Sequence, residues 1–235
     1  MQTADPPTGA VDQPADTAAV HPRDLVKPTL RGVSHQWATL GALVSGIVLI
    51  AVSPPGRVLV GSAVYAVVLV LLFGNSALYH RITWQPRARS FMKRLDHSTI
   101  FVFIAGTYTP FCLALLHGTK LTVFLSLVWA GALVGIAARM TFLHAPRFLT
   151  VPLYVALGWA AVFVTGDILR GAGVAALVLL YAGGLLYTLG ALAYATRRPD
   201  PLPTVFGYHE VFHAAVVLAA VCHYIAVMFA VLSAR

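Results

Sequence analysis

Carboxylates are scarce in this chain, which sets eight Asp and Glu against sixteen Lys and Arg. Asp5, Asp12, Asp16 and Asp24 stand in the first 30 residues, Asp167 and Asp200 fall in connections, and only Asp96 and Glu210 enter apolar stretches. Charge as a whole is thin, at 10% of residues against 59% hydrophobic, and mean hydropathy is +0.81. That balance excludes a soluble globular domain and indicates a polytopic membrane protein. Cysteine is nearly absent, and Cys112 and Cys222 both sit in apolar runs, so free thiols are expected and a disulfide framework is excluded. No segment alternates apolar and polar residues with a period of two, which excludes an outer-membrane barrel. No Lys or Arg precedes Arg23, and no apolar core follows one within the first 30 residues. A secretory signal is therefore not expected, and the first transmembrane helix is expected to target the chain.

The chain does have long apolar runs. Seven are long enough to cross a bilayer as helices: Gln36–Ser53, Val58–His80, Asp96–His117, Leu121–Ala138, Leu149–Gly166, Ala172–Ala195 and Tyr208–Leu232. The expected fold is an all-α integral membrane bundle of seven transmembrane helices over residues 31–235, consecutive helices packing antiparallel. Residues 1–30, rich in Pro, Asp, Thr and Ala, are expected to form a disordered cytoplasmic tail. With seven crossings, twelve of the sixteen basic residues fall on the side of the N-terminal flank and the second, fourth and sixth connections. Only Arg57, Lys120, Arg170 and Arg235 fall opposite. The positive-inside rule then sets the N-terminus in the cytoplasm and the C-terminus outside, and the net charge of +8 reads as a topology signal rather than a nucleic-acid surface.

This topology gathers polar residues at one membrane face. His209 and His213, in His209-Glu-Val-Phe-His213, are four residues apart on a helix and share a face, so both can grip one cation. His80 closes the second apolar run, and Ser76, one turn earlier, points the same way. Asp96 opens the third run, where alone it would be read as a helix cap. Three imidazoles with a fourth position left for water have the composition of a catalytic zinc site. Asp96 and Ser76 are then expected to act on the water proton. Redox-inert Zn2+ suits three histidines best, although imidazole also binds iron, copper and nickel.

The chain resembles the hemolysin III family, within the group that includes the adiponectin and progestin receptors (PAQR) and, more remotely, the alkaline ceramidases. The resemblance is carried by Lys27-Pro-Thr-Leu-Arg-Gly-Val-Ser-His35, Asn75-Ser-Ala-Leu-Tyr-His80, Arg94-Leu-Asp-His-Ser98, Ala105-Gly-Thr-Tyr-Thr-Pro110, Gly183-Gly-Leu-Leu-Tyr-Thr188, and His209-Glu-Val-Phe-His213 with Val221-Cys-His223. It implies a seven-helix bundle with a cytoplasmic N-terminus and zinc held by His80, His209 and His213, the family's Ser and Asp corresponding to Ser76 and Asp96. It also implies that Glu210 is not a zincin-type base, because the receptor branch does not confine that position to Glu. A bacterial plasma-membrane location follows from the same resemblance.

The expected activity is metal-assisted hydrolysis of a lipid amide, ceramide-like, or an ester. Zinc would polarise the carbonyl, Asp96 assist proton transfer, and Ser76 orient water or stabilise the oxyanion. The substrate class comes from the resemblance and not from a residue pattern. The alternatives are a receptor or membrane-stress sensor with structural or regulatory zinc, and a lytic or pore-forming protein. The last would need a charged pore-lining stripe that the chain lacks. The expected partner is a membrane lipid, as substrate or ligand. His223 lies about 15 Å along the helix from His213 and is expected to pack or hydrogen-bond rather than join the site. His97 points about 100° from Asp96 and reads as interfacial packing. Tyr79, Tyr108 and Tyr187 are expected to serve a polar cavity or interhelical hydrogen bonds.

Overall fold

The computed structural model describes residues 27–142 and 147–235. The expected tail falls largely on residues 1–26, outside the described residues. Its last members are tied down: Thr29 and Leu30 donate backbone hydrogen bonds to the carbonyls of Thr204 and Val205, 3.0 and 3.2 Å. The described residues are all-helical, with no strand and a single isolated backbone bridge between Leu202 and Phe206. The helices are α1 Val33–Val52, α2 Arg57–Arg81, α3 Pro86–Leu115, α4 Gly118–Thr141, α5 Arg147–Gly158, α6 Thr165–Thr196 and α7 Tyr208–Ser233, with a 3₁₀ segment, Trp159–Val164, joining α5 to α6.

By length and apolar composition six candidate membrane spans are present among the described residues, because the helical run from Thr150 to Thr196 counts as one. Within it Gly173 is not helical, with φ 84° and ψ 175°, a conformation that a side chain would strain. The residues on either side of it fold back on each other. Trp159 Nε1 donates to Thr188 Oγ1 at 3.0 Å, and the hydroxyls of Thr165 and Tyr181 meet at 2.5 Å. Both pairs are centred close to residue 173.

Consecutive helices are spatial neighbours, and α7 also returns to α1, where Tyr224 Oη donates to the Ser45 carbonyl at 2.9 Å. Helix α3 is the most deeply buried and touches α2, α4, α5, α6 and α7. Its Phe101, Phe103, Ala105 and Phe111 form the core with Tyr65, Leu69, Leu72 and Phe73 of α2. Large apolar side chains such as Trp37, Val44, Ile47, Leu127, Val134 and Val178 face outward, as a lipid-facing surface requires. Helix α3 begins at Pro86, ten residues before the start expected at Asp96. Proline suits a helix's first turn, and the charged stretch that follows is helical although hydropathy does not register it. Asp96 is therefore no N-terminal cap but a residue nearly three turns inside a helix.

One aromatic side chain reshapes a neighbouring backbone. The Tyr108 hydroxyl accepts the Ala161 N–H at 2.8 Å and donates to the carbonyls of Gly158 and Leu157. Inserted there, the phenol meets backbone groups that a regular helix would pair internally, at the place where α5 tightens into the 3₁₀ segment.

Candidate metal centre

Three helix ends build the site. His80 is in the last turn of α2, while His209 and His213 occupy the first two turns of α7. One ring nitrogen from each lies within 4.8 Å of the others, with His80 and His213 buried and His209 half-buried. The Nε2 atoms of His80 and His209 are 3.2 Å apart. Two ligands on one tetrahedral zinc, with Zn–N of about 2.0–2.1 Å, would be about 3.3 Å apart. Buried His213 leaves Nδ1 without a hydrogen-bond partner. These residues fit a divalent metal that prefers nitrogen, zinc above all.

Asp96 and Ser76 are drawn to the same place. An Asp96 carboxylate oxygen lies 3.9 Å from His80 Nε2, beyond direct hydrogen bonding, and the Ser76 hydroxyl is within hydrogen-bonding reach of that carboxylate. The structure thus brings together all five residues that the sequence singled out.

Glu210 has a different occupation. Its Oε2 accepts the Gly207 N–H at 2.9 Å, closing the first turn of α7, and its Oε1 accepts the Arg31 guanidinium. With Glu210 3% exposed, this is a buried ion pair joining the segment before α1 to the start of α7. Gly32, with φ 80°, lets that segment approach α2 so closely that a Cβ there would stand 2.7 Å from His80 Cβ. Gly207 three residues ahead of Glu210 is a capping pattern that sequence reading could have found. Arg31 as its partner is a tertiary fact.

His35 is the residue that sequence reasoning missed. Its buried ring stacks on His213, centroids 3.9 Å apart and planes 10° from parallel, with both nitrogens unpartnered. Phe73 holds its other side edge-on at 5.1 Å. Two further histidines have partners of their own. His223 Nε2 lies 3.0 Å from the Leu180 carbonyl, across the α6–α7 contact, and His97 Nδ1 lies 2.7 Å from the Lys93 carbonyl. Around the site the field is basic, and partial burial beside Arg81, Arg31 and Arg89 holds the Lys27 ammonium below its ordinary range.

The site opens into a cavity of about 390 Å³. Ser76, Asp96, His209 and His213 line one end, and the wall follows α3 from Lys93 to Phe111, about 27 Å of helix. Ile100, Phe103, Ile104 and Val216 make its middle apolar, while Tyr108, Tyr181 and Tyr187 add scattered hydroxyls. Its volume falls within the range of about 300–1,000 Å³ common to small-molecule sites.

Fold and site together define a polytopic helical membrane protein with a three-histidine cluster at one end of an internal amphiphilic cavity. Comparison with known proteins gives the family. The family described as "Haemolysin-III related" matches residues 23–224. The chain is 31% identical over 171 residues to "Hemolysin-3 homolog" of Bacillus subtilis (strain 168), covering 73% of this chain and 77% of that one. It is 32% identical over 175 residues to "Hemolysin-3" of Bacillus cereus, covering 74% and 76%. It is also 33% identical over 168 residues to "Heptahelical transmembrane protein ADIPOR2" of Oryza sativa subsp. japonica, covering 65% and 73%. The chain belongs to the haemolysin-III related family, within the PAQR group, and is a multi-pass plasma-membrane protein of bacterial kind.

Proposed function

We propose that the chain is a zinc-dependent lipid hydrolase that cleaves an amide, ceramide-like, or an ester bond. The observation that carries this reading is the placement of three clustered imidazoles and a carboxylate at the end of a long, largely apolar cavity. His80, His209 and His213 hold the metal. Zinc, when bound there, supplies Lewis acidity toward a carbonyl and toward water. Asp96 Oδ2 takes the proton from attacking water and delivers it to the leaving amine or alcohol. Ser76 fixes that carboxylate with its one hydroxyl proton, and once Asp96 has taken the water proton and can donate in turn, the Ser76 hydroxyl is released to turn toward the developing oxyanion. The apolar middle of the cavity holds the acyl chain and excludes water. Glu210 takes no part in proton transfer, because both its oxygens are committed to Arg31 and Gly207.

The same reading has the chain cross the bilayer seven times, N-terminus in the cytoplasm and C-terminus outside, with residues 31–235 as the membrane domain and residues 1–30 as a tail. The pairs centred on Gly173 support two spans between α4 and α7, and the basic residues crowd the side of the histidines. The word "heptahelical" in the rice relative's name agrees.

Metal analysis of the purified protein, followed by incubation with a panel of lipid amides and esters, tests the proposal. About one zinc per chain is expected, lost in His209→Ala and retained with about 10–100-fold weaker affinity in Asp96→Asn. Unchanged zinc in His209→Ala would remove the site, whereas tight zinc without turnover of any lipid would turn the reading to a sensor. A reporter fused after Arg235 should be active only outside the cytoplasm.

A further inference from the structure

Arg139 differs from the other basic residues at the histidine end. It lies in the last turn of α4, is 4% exposed, and lines the cavity. Among the described residues its side chain makes no hydrogen bond or ion pair, and its buried Nε is one of the orphaned polar atoms. A cation at this position ordinarily closes the helix's final carbonyls. Here Arg94 does so from α3, donating through Nη1 to the Met140 carbonyl at 2.7 Å.

No carboxylate is spare for Arg139 either. Among the described residues there are four. Asp96 faces Ser76 and His80, Asp167 lies between Lys120 and Arg170, Asp200 accepts the Tyr208 N–H, and Glu210 is held by Arg31 and Gly207. Tyr154 lies within electrostatic reach of Arg139, but its hydroxyl donates to the His97 carbonyl at 3.2 Å. A fixed guanidinium charge is costly to bury alone and inside a membrane protein marks a place where an anion belongs.

We propose that Arg139 anchors the anionic headgroup of an acyl lipid, gripping a carboxylate or phosphate at the histidine end of the cavity while the acyl chain runs along α3 toward Phe111. This deepens the hydrolase reading and rests on it only for turnover. It narrows the substrate from a neutral ceramide to an acyl amide or ester with an acidic headgroup, of which an N-acyl amino acid is the simplest form. A guanidinium meets such a group with two parallel hydrogen bonds, whereas a neutral headgroup leaves the charge unpaired.

The test is equilibrium binding to the full chain in phosphatidylcholine nanodiscs, with N-oleoylglycine against its methyl ester and N-oleoylethanolamine. The three share chain and amide and differ in charge. The parent should prefer the acid by about tenfold or more, the equivalent of about 1.4 kcal/mol. R139Q should lose that preference while binding the neutral probes as before, and R139K should keep part of it. Equal binding of acid and methyl ester by the parent overturns the proposal, whatever the variants do, and so does a preference that R139Q leaves intact. Inorganic phosphate bound by the parent as tightly as N-oleoylglycine, and lost in R139Q, would show that the acyl chain adds nothing, reassign the site to a soluble anion and overturn it too. Anion preference without hydrolysis upholds the anchor and sinks the hydrolase; hydrolysis that ignores headgroup charge does the reverse.

Discussion

The two ends of the bundle treat polar groups in opposite ways. At the end away from the histidines, Lys120 and Arg170 clasp Asp167, Arg57 reaches the Leu116 carbonyl, Ser53 meets Ser62 at 2.6 Å, and Arg235 closes on the Val52 carbonyl. These groups find partners within the chain, several of them at the exposed surface. At the histidine end, His35, His213 and Arg139 are buried and each leaves at least one nitrogen unpartnered. A membrane protein pays heavily for such unmet groups, so their concentration at one end supports the proposed ligand site there more strongly than any single motif does.

Mutations can break this contrast, and the largest effect should come from His80→Ala. Removing one of three ligands should take bound zinc from about one per chain to near zero by elemental analysis, and zinc content within a factor of two of the parent would contradict the assignment. Next, Glu210→Ala strands the Arg31 guanidinium and uncaps α7, for an expected loss of about 3 kcal/mol in detergent unfolding. Glu210→Gln should retain the Gly207 bond and some lipid turnover, since a structural carboxamide replaces a structural carboxylate; abolished turnover in a stably folded protein would restore Glu210 as a base. Gly183→Ala should cost about 1–3 kcal/mol, because its new Cβ would stand 2.3 Å from His223 Cδ2 and force α6 and α7 apart. At the opposite end, Lys120→Met removes half of an ion pair whose lysine is half exposed, and should change stability by less than about 1 kcal/mol. A larger loss there would erase the contrast between the two ends.

The sequence made the bundle and its site legible to different depths. Hydropathy located α7 within a residue, Tyr208–Leu232 expected against Tyr208–Ser233 found, because both of its ends coincide with a change in polarity. It misplaced the start of α3 because a helix that begins among charged residues continues outside the apolar run. The five proposed site residues could be grouped from helix direction alone, since topology decides which helix ends meet. Orientation around each helix axis was not legible, and it governs the rest. Arg139 counted only as a charge for topology and Arg31 only as that and as part of a family motif, yet Arg31 is half of a buried ion pair and Arg139 faces a cavity. His35 lies where α1 gives no periodic signal, and only the packed structure sets its ring against His213.

The Arg31–Glu210 pair joins residues 179 positions apart, near the two ends of the membrane domain. A ribosome working at about 5–20 residues per second makes Arg31 wait roughly 10–35 seconds for its partner. His80 waits for His209 and His213 through most of that interval. The first half of the protein can be inserted, folded against itself and still hold no complete three-histidine cluster, so on the proposed reading a captured ion would certify that the last helix has been made and seated.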